Sequence, residues 1–128
     1  MLSGRFAIAG WYTNVVPGCT VLPIVEVCVA KGRFPFGGYM EISAEGKVTG
    51  TIVDKYGQAK IEGEIGKYGL TFKKKYATGA PVKHDQAPLE YCLTSAGGTL
   101  LFTGEFRFSG EERTEDGRVV LQLVACTL

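Results

Sequence analysis

Polar and apolar residues alternate one by one along much of this chain, and that period of two limits what the chain can fold into. Met40, Ile42 and Ala44 alternate with Tyr39, Glu41 and Ser43, and Ile61, Gly63 and Ile65 with Lys60, Glu62 and Glu64. Leu70 and Phe72 alternate with Thr71 and Lys73, and Phe102, Gly104, Phe106 and Phe108 with Thr103, Glu105 and Arg107. Successive side chains of a strand point to opposite faces, so each run describes a ribbon with one greasy and one wet face. Helical spacing is not sustained anywhere; at most a short turn fits between Lys83 and Pro88.

Turn signals cut these runs at short intervals. Ala44-Glu45-Gly46-Lys47, Asp54-Lys55-Tyr56-Gly57 and Gly66-Lys67-Tyr68-Gly69 each end in or contain a glycine able to take positive φ, as tight hairpins require. Ala96-Gly97-Gly98 makes a further turn, and the stretch from Gly110 to Gly117 a longer one. The longest irregular loop of the second half runs from Thr78 to Ala87, and Asn14 to Cys19 forms another. The predicted strands are Phe6–Tyr12, Val21–Lys31, Gly38–Ala44, Lys47–Asp54, Ala59–Ile65, Leu70–Tyr76, Leu89–Ser95, Leu100–Phe108 and Val119–Cys126. Connections this short pair neighbours antiparallel. The expected fold is all-β: an antiparallel up-and-down meander barrel of about eight to ten strands. Closure removes the exposed edges that an open sheet would carry. A sandwich is the competing architecture and needs longer crossovers.

At 128 residues the expectation is a single barrel domain over residues 1–128, with a core that needs neither disulfides nor metals. Fourteen basic residues against thirteen acidic ones leave no electrostatic footprint for nucleic-acid phosphates. The first residues carry no basic segment followed by an apolar core, so no signal peptide is expected and the expected location is the cytoplasm. The longest apolar run, Val21 to Ala30, is interrupted by Pro23 and Glu26 and is too short for a membrane helix, so no membrane partner is expected. Cys19, Cys28, Cys92 and Cys126 form no Cys-x-x-Cys pair, and no cofactor or metal is called for. Cys28, Cys92 and Cys126 lie in apolar stretches and are expected to act as small core residues.

Gly50-Thr51-Ile52-Val53-Asp54-Lys55-Tyr56-Gly57, then Ile61-Glu62-Gly63, then Leu70-Thr71-Phe72-Lys73-Lys74-Lys75-Tyr76 form repeated glycine-containing hairpins ending in Phe-x-Lys-x-Tyr. This pattern resembles the calycin-type barrels, the group of lipocalins, fatty-acid-binding proteins and avidins, in the style of small lipocalin-like or avidin-like proteins. Gly10-Trp11-Tyr12 in the first strand is similar to the lipocalin opening, although lipocalins place one residue between the Gly and the Trp. The Ser-, Asn- and Trp-rich biotin pocket of avidins has no counterpart in a chain with a single Trp and a single Asn. The resemblance covers mainly Gly38 to Tyr76. It implies the barrel fold and a small apolar ligand.

With Leu70 and Phe72 inward, period two carries Lys74 and Tyr76 inward as well, toward one barrel end. A lysine beside a tyrosine there suits the carboxylate or polar head group of an amphipathic ligand. Glu26 could face Lys74 as its partner; otherwise Lys74 extends outward at the rim and Tyr76 merely closes the end. Tyr39 is a further polar candidate for a pocket. Phe34 and Phe36, around Pro35, admit three roles: a lid over the barrel end, an oligomer contact, or a core plug. Trp11 and Tyr12 are expected to plug the barrel base. His84, between Lys83 and Asp85, reads as a solvated loop residue, and no nucleophile accompanies it. Asp54 and Gly57 read as turn residues. The strands at 21–30 and 119–126 are apolar on both faces, so a homo-oligomer through their outer faces is expected.

The function that follows is a barrel holding a small apolar or amphipathic molecule without covalent chemistry, with Lys74, Tyr76, Glu26, Tyr39, Phe34 and Phe36 as ligand-binding candidates and no catalytic residue. Two alternatives stand beside it. One is an isomerase- or cyclase-type enzyme using the cavity; the other is a structural or interaction protein whose barrel is filled by its own aromatics.

Overall fold

The computed structural model describes residues 2–15, 34–77, 89–96, 100–108 and 116–126. Eight strands follow one another: β1 (Gly4–Val15), β2 (Phe34–Ile42), β3 (Lys47–Asp54), β4 (Gly57–Gly66), β5 (Gly69–Tyr76), β6 (Leu89–Ser95), β7 (Leu101–Phe108) and β8 (Asp116–Ala125). Each pairs antiparallel with the next, and β8 returns to pair with β1, so the sheet closes into an up-and-down barrel. The described residues contain no helix. The sandwich alternative is thereby excluded.

The alternation read from the sequence sets the wall. Phe6, Ile8 and Tyr12 of β1, Val48 and Ile52 of β3, Leu70 and Phe72 of β5, and Val119, Leu121 and Leu123 of β8 are buried. Their sequence neighbours face outward, where a row of alternating charge crosses four strands: Glu62 opposite Lys73, Lys73 opposite Glu90, Glu90 opposite Arg107. Cross-strand pairs of opposite charge favour this register. Lys60 and Lys75, like charges, stand opposite each other in the same ladder.

Glycine on the inner face lets the sheet curl tightly enough to close. Gly50 lies between Met40 and Ile61 on the neighbouring strands, and Gly63 between Val48 and Phe72. A Cβ at Gly63 would collide with the Thr71 carbonyl oxygen and lie 2.5 Å from the Phe72 Cα, and one at Gly50 would lie 2.8 Å from the Met40 Cα. Those obstacles are backbone atoms that cannot swing aside. Small residues facing large ones also let the interior fill to its taper.

Several expectations shift. The strand begun at Gly38 starts at Phe34, so Phe34-Pro35-Phe36 belongs to β2 and not to a loop. Trp11 does not plug the base: it shares the outward parity of Ala7 and Ala9, and Tyr12 alone points inward. Cys92 and Cys126 are exposed free thiols and not core residues, because Cys92 falls on the outward parity between buried Tyr91 and Leu93, and Cys126 lies past the end of β8. The predicted strand at 21–31, Cys19, Cys28 and His84 lie outside the described residues.

Gly63→Ala is expected to destabilise the protein by about 3 kcal/mol, at the top of the overpacking range. Gly66→Ala, where a Cβ meets nothing within 4 Å, should cost less than about 0.5 kcal/mol. Urea unfolding midpoints compare the two; equal losses would contradict the close-approach explanation.

Candidate functional site

The two barrel ends differ. At one, β2–β3 and β4–β5 are joined by the tight turns at 43–46 and 67–68. At the other, the connections 16–33, 77–88 and 109–115 leave and return, together with the β3–β4 hairpin. Phe34, Asp54, Tyr76 and Leu89 stand at strand ends on this second side, and Tyr12, three residues before the end of β1, pairs with Phe34.

Lys74 and Tyr76 both point inward here, two residues apart on β5, as period two requires. Lys74 is buried at 3% exposure, so it does not extend to the rim. Its ammonium donates to Asp54 Oδ2 at 2.9 Å and to the Tyr76 hydroxyl at 2.9 Å. The Tyr76 hydroxyl in turn donates to the same Asp54 oxygen at 2.5 Å. The other Asp54 oxygen, Oδ1, accepts the Tyr56 backbone N–H at 2.9 Å. Asp54 therefore does two jobs: one oxygen holds the hairpin turn and the other neutralises a buried lysine. The counter-charge expected from Glu26 is supplied by Asp54; Glu26 itself lies outside the described residues.

Strand β4 lies between β3 and β5, and the reach from Asp54 to Lys74 must pass over it. The β4 residues at that level are Gly57, opposite Asp54, and Ala59, between Ile52 and Tyr76. Their small side chains leave the space that the Asp54 carboxylate and the Tyr76 phenol occupy. This was the overlooked signal: a strand-end acid, two small residues on the next strand, and an inward Lys-x-Tyr on the one after.

Aromatic rings surround the cluster. The Lys74 nitrogen lies 4.7 Å from the Tyr76 ring centroid, 5.3 Å from that of Tyr91 and 6.0 Å from that of Tyr12. Beneath it Phe72 stacks on Tyr91 at 4.6 Å and Tyr91 on Phe106 at 5.4 Å, and Tyr12 meets Phe106 edge-on at 5.7 Å. Tyr12 also packs against Phe34 and Phe36, at 5.3 and 6.4 Å. Phe36 is buried and Phe34 packs partly buried against the core, which among the three readings of this pair is the core plug. Lys55, in the hairpin, sits 3.9 Å from the Phe34 ring centroid. Tyr39 is not part of the cluster: it is 56% exposed on the outer wall, where its hydroxyl accepts from Thr51 Oγ1 at 3.4 Å.

The Tyr12 hydroxyl is buried and has no hydrogen-bond partner among the described residues. Sequence reasoning placed Tyr12 inside but could not reveal this, since satisfaction of a hydroxyl depends on contacts across strands. No cluster of His, Cys, Asp and Glu able to hold a metal occurs among the described residues.

The fold holds these groups protonated. Burial pushes the Tyr12, Tyr76 and Tyr91 phenols up from the ordinary tyrosine range. Burial by itself would lower the Lys74 ammonium, but its neighbours Tyr91, Tyr76 and Asp54 reverse that, and the net shift is upward. At neutral pH the phenols are uncharged, so the Asp54 carboxylate is the charge that holds the ammonium.

No family model matches the chain, and no curated protein or solved structure shows significant similarity to it.

The upward shifts fix a pH dependence. A group whose folded pKa lies above its unfolded one contributes fully below the unfolded value and loses that contribution as pH rises toward the folded one. The unfolded values here are about 10 for tyrosine and lysine. The contribution of these groups to stability should be constant through neutral pH and fall steeply above about pH 10. Urea unfolding followed from pH 7 to 11 checks this, with ionisation of the buried phenols, read by ultraviolet absorbance, coinciding with unfolding. Phenol ionisation in a still-folded protein, assigned to Tyr12, Tyr76 or Tyr91 by Phe variants, would contradict it.

Proposed function

We propose that this chain is a binding module that holds a small amphipathic molecule at the tyrosine-lined end of the barrel, without covalent chemistry. The single observation that carries the reading is the buried, unpartnered Tyr12 hydroxyl. A buried polar group without a partner costs about 1–3 kcal/mol. Phenylalanine would fill the same space without that cost, and a bound molecule that accepts the phenol proton removes it. Aromatic rings on one side and a polar cluster on the other are what an amphipathic ligand asks of a barrel end. The arrangement fits a calycin-like barrel: a meander of next-neighbour hairpins, tight turns at one end and longer connections at the other.

The enzyme reading is weaker on the same geometry. Lys74 is held as an ammonium and is no nucleophile, and the Asp54 oxygens are already engaged by Lys74, Tyr76 and the Tyr56 N–H. Neither is placed to accept a further proton. The filled-barrel reading has one observation in its favour, the stack Phe72–Tyr91–Phe106 across the interior. With the interior occupied by that stack, the binding reading seats its ligand above it, beside Tyr12, and not deep in the barrel.

The partner reading concerns the outer wall. Along β8, β1 and β2 the outward ladder sets Val120 and Pro35 on either side of Trp11, Gln122 and Gly37 on either side of Ala9, and Val124 and Tyr39 on either side of Ala7, so it is mostly apolar. Val124 is 52% exposed. The opposite wall carries the charged rows. A second copy of the chain docking through β8 and its neighbours would cover this apolar side.

Native mass spectrometry of the freshly purified protein reads both parts. The expected spectrum is a dimer carrying one retained small molecule per chain, lost on denaturation. Ligand-free protein at every concentration would overturn the binding reading, and monomer at every concentration the partner reading.

A further inference from the structure

We propose that the head group accepted at this site is an uncharged hydrogen-bond acceptor, a ketone, ester or amide carbonyl, held by the Tyr12 phenol; the inference rests on the binding reading above. A lysine deep in a barrel invites the opposite assignment, a carboxylate ligand. Two independent observations oppose that.

The first is charge. Lys74 and Asp54 are in contact at 2.9 Å with side chains only 4% and 1% exposed, so the pair is already neutral. A carboxylate entering beside it would be desolvated next to Asp54 with no counter-charge left for it, and burial of an unpaired charge is heavily penalised. The second is the donor census. An ammonium has three protons. Two of those of Lys74 are directed to Asp54 and to the Tyr76 hydroxyl, and the nitrogen lies 5.3 Å from the Tyr91 ring centroid, an aromatic face with no charge to offer an anion. The Tyr76 proton is committed to Asp54. The Tyr12 phenol, by contrast, is the one buried side-chain polar atom without a partner among the described residues.

That phenol stays protonated, because burial opposes its ionisation. It therefore offers a proton and asks for a lone pair. A carbonyl oxygen supplies one without bringing charge into the site. The rings of Phe34, Phe36 and Phe106 pack around Tyr12, so the skeleton carrying that carbonyl is apolar. The same features rank the chemical classes: a carbonyl gains a hydrogen bond at little cost, an alkane gains none, and a carboxylate is penalised by its charge.

The test uses the full chain and its Tyr12→Phe variant at pH 7.5. N-phenyl-1-naphthylamine, an uncharged fluorescent probe, is displaced by 2-decanone, by decane and by decanoate. The expected result is that 2-decanone displaces the probe from the unmodified protein at concentrations about tenfold or more below those of decane or decanoate, the scale of one good buried hydrogen bond. In Tyr12→Phe the ketone loses its advantage over decane while the melting temperature stays equal or rises, as removal of an unpaired buried hydroxyl requires. Decanoate binding tighter than the ketone, or a ketone advantage that survives Tyr12→Phe, would overturn the head-group assignment and leave the binding reading standing. Failure of the probe and of all three chains to bind would overturn the binding reading, and the assignment with it.

Discussion

A lysine ammonium can be enclosed among aromatic rings only if a carboxylate is held against it, and the arrangement of this barrel end follows from that requirement. Leaving either charge buried alone costs several kcal/mol. Asp54 meets the requirement from two strands away, reaching over β4 to Lys74 on β5. The pairing constrains register as well as charge. A slip of one residue would turn Lys74 to the outer wall and leave the Asp54 carboxylate facing phenyl rings. The ion pair and the alternation of apolar side chains thus select the same alignment of β3, β4 and β5.

The size of side chains on the inner face organises the rest. Where the sheet must curl, as at Gly50 and Gly63, the inner position carries no Cβ, and large residues from both neighbouring strands close over it. Where the charged pair must meet, Gly57 and Ala59 keep β4 thin. Elsewhere the interior is filled, with Met40, Ile61, Leu70, Leu93 and Leu121 among the residues shut off from solvent. Filling the tight-turn half and the middle of the barrel leaves the polar cluster confined to one end. That asymmetry separates the part of the barrel that provides stability from the part that carries chemistry.

Most of the wall was legible in the sequence because period two is a local property. Hairpins at Gly46, Gly57 and Gly69, the inward parity of Lys74 and Tyr76, and closure of a meander all follow from residues close in the chain. What was not legible depends on contacts across strands. Asp54 looked like an ordinary turn residue, and it is one through Oδ1; its second role needs the register of three strands to be known. Tyr39 is a pocket candidate by residue type alone, and its own parity with Glu41 places it outside. Cys92 sits in an apolar-looking stretch, yet parity with Glu90 and Thr94 carries it to the surface. In both cases alternation was the better guide than the hydrophobicity of the neighbourhood.

The central claim is that Lys74 and Asp54 act as one neutral unit inside the barrel, and a double-mutant cycle tests it most directly. Equilibrium unfolding would be measured for Lys74→Met, Asp54→Asn and the double variant. Each single substitution strands the partner charge and is expected to cost about 3–5 kcal/mol. The double substitution strands neither and is expected to cost less than either single one. Losses that simply add would show that the two side chains are stabilised separately, and would contradict the neutral-pair description on which the chemistry of this site depends.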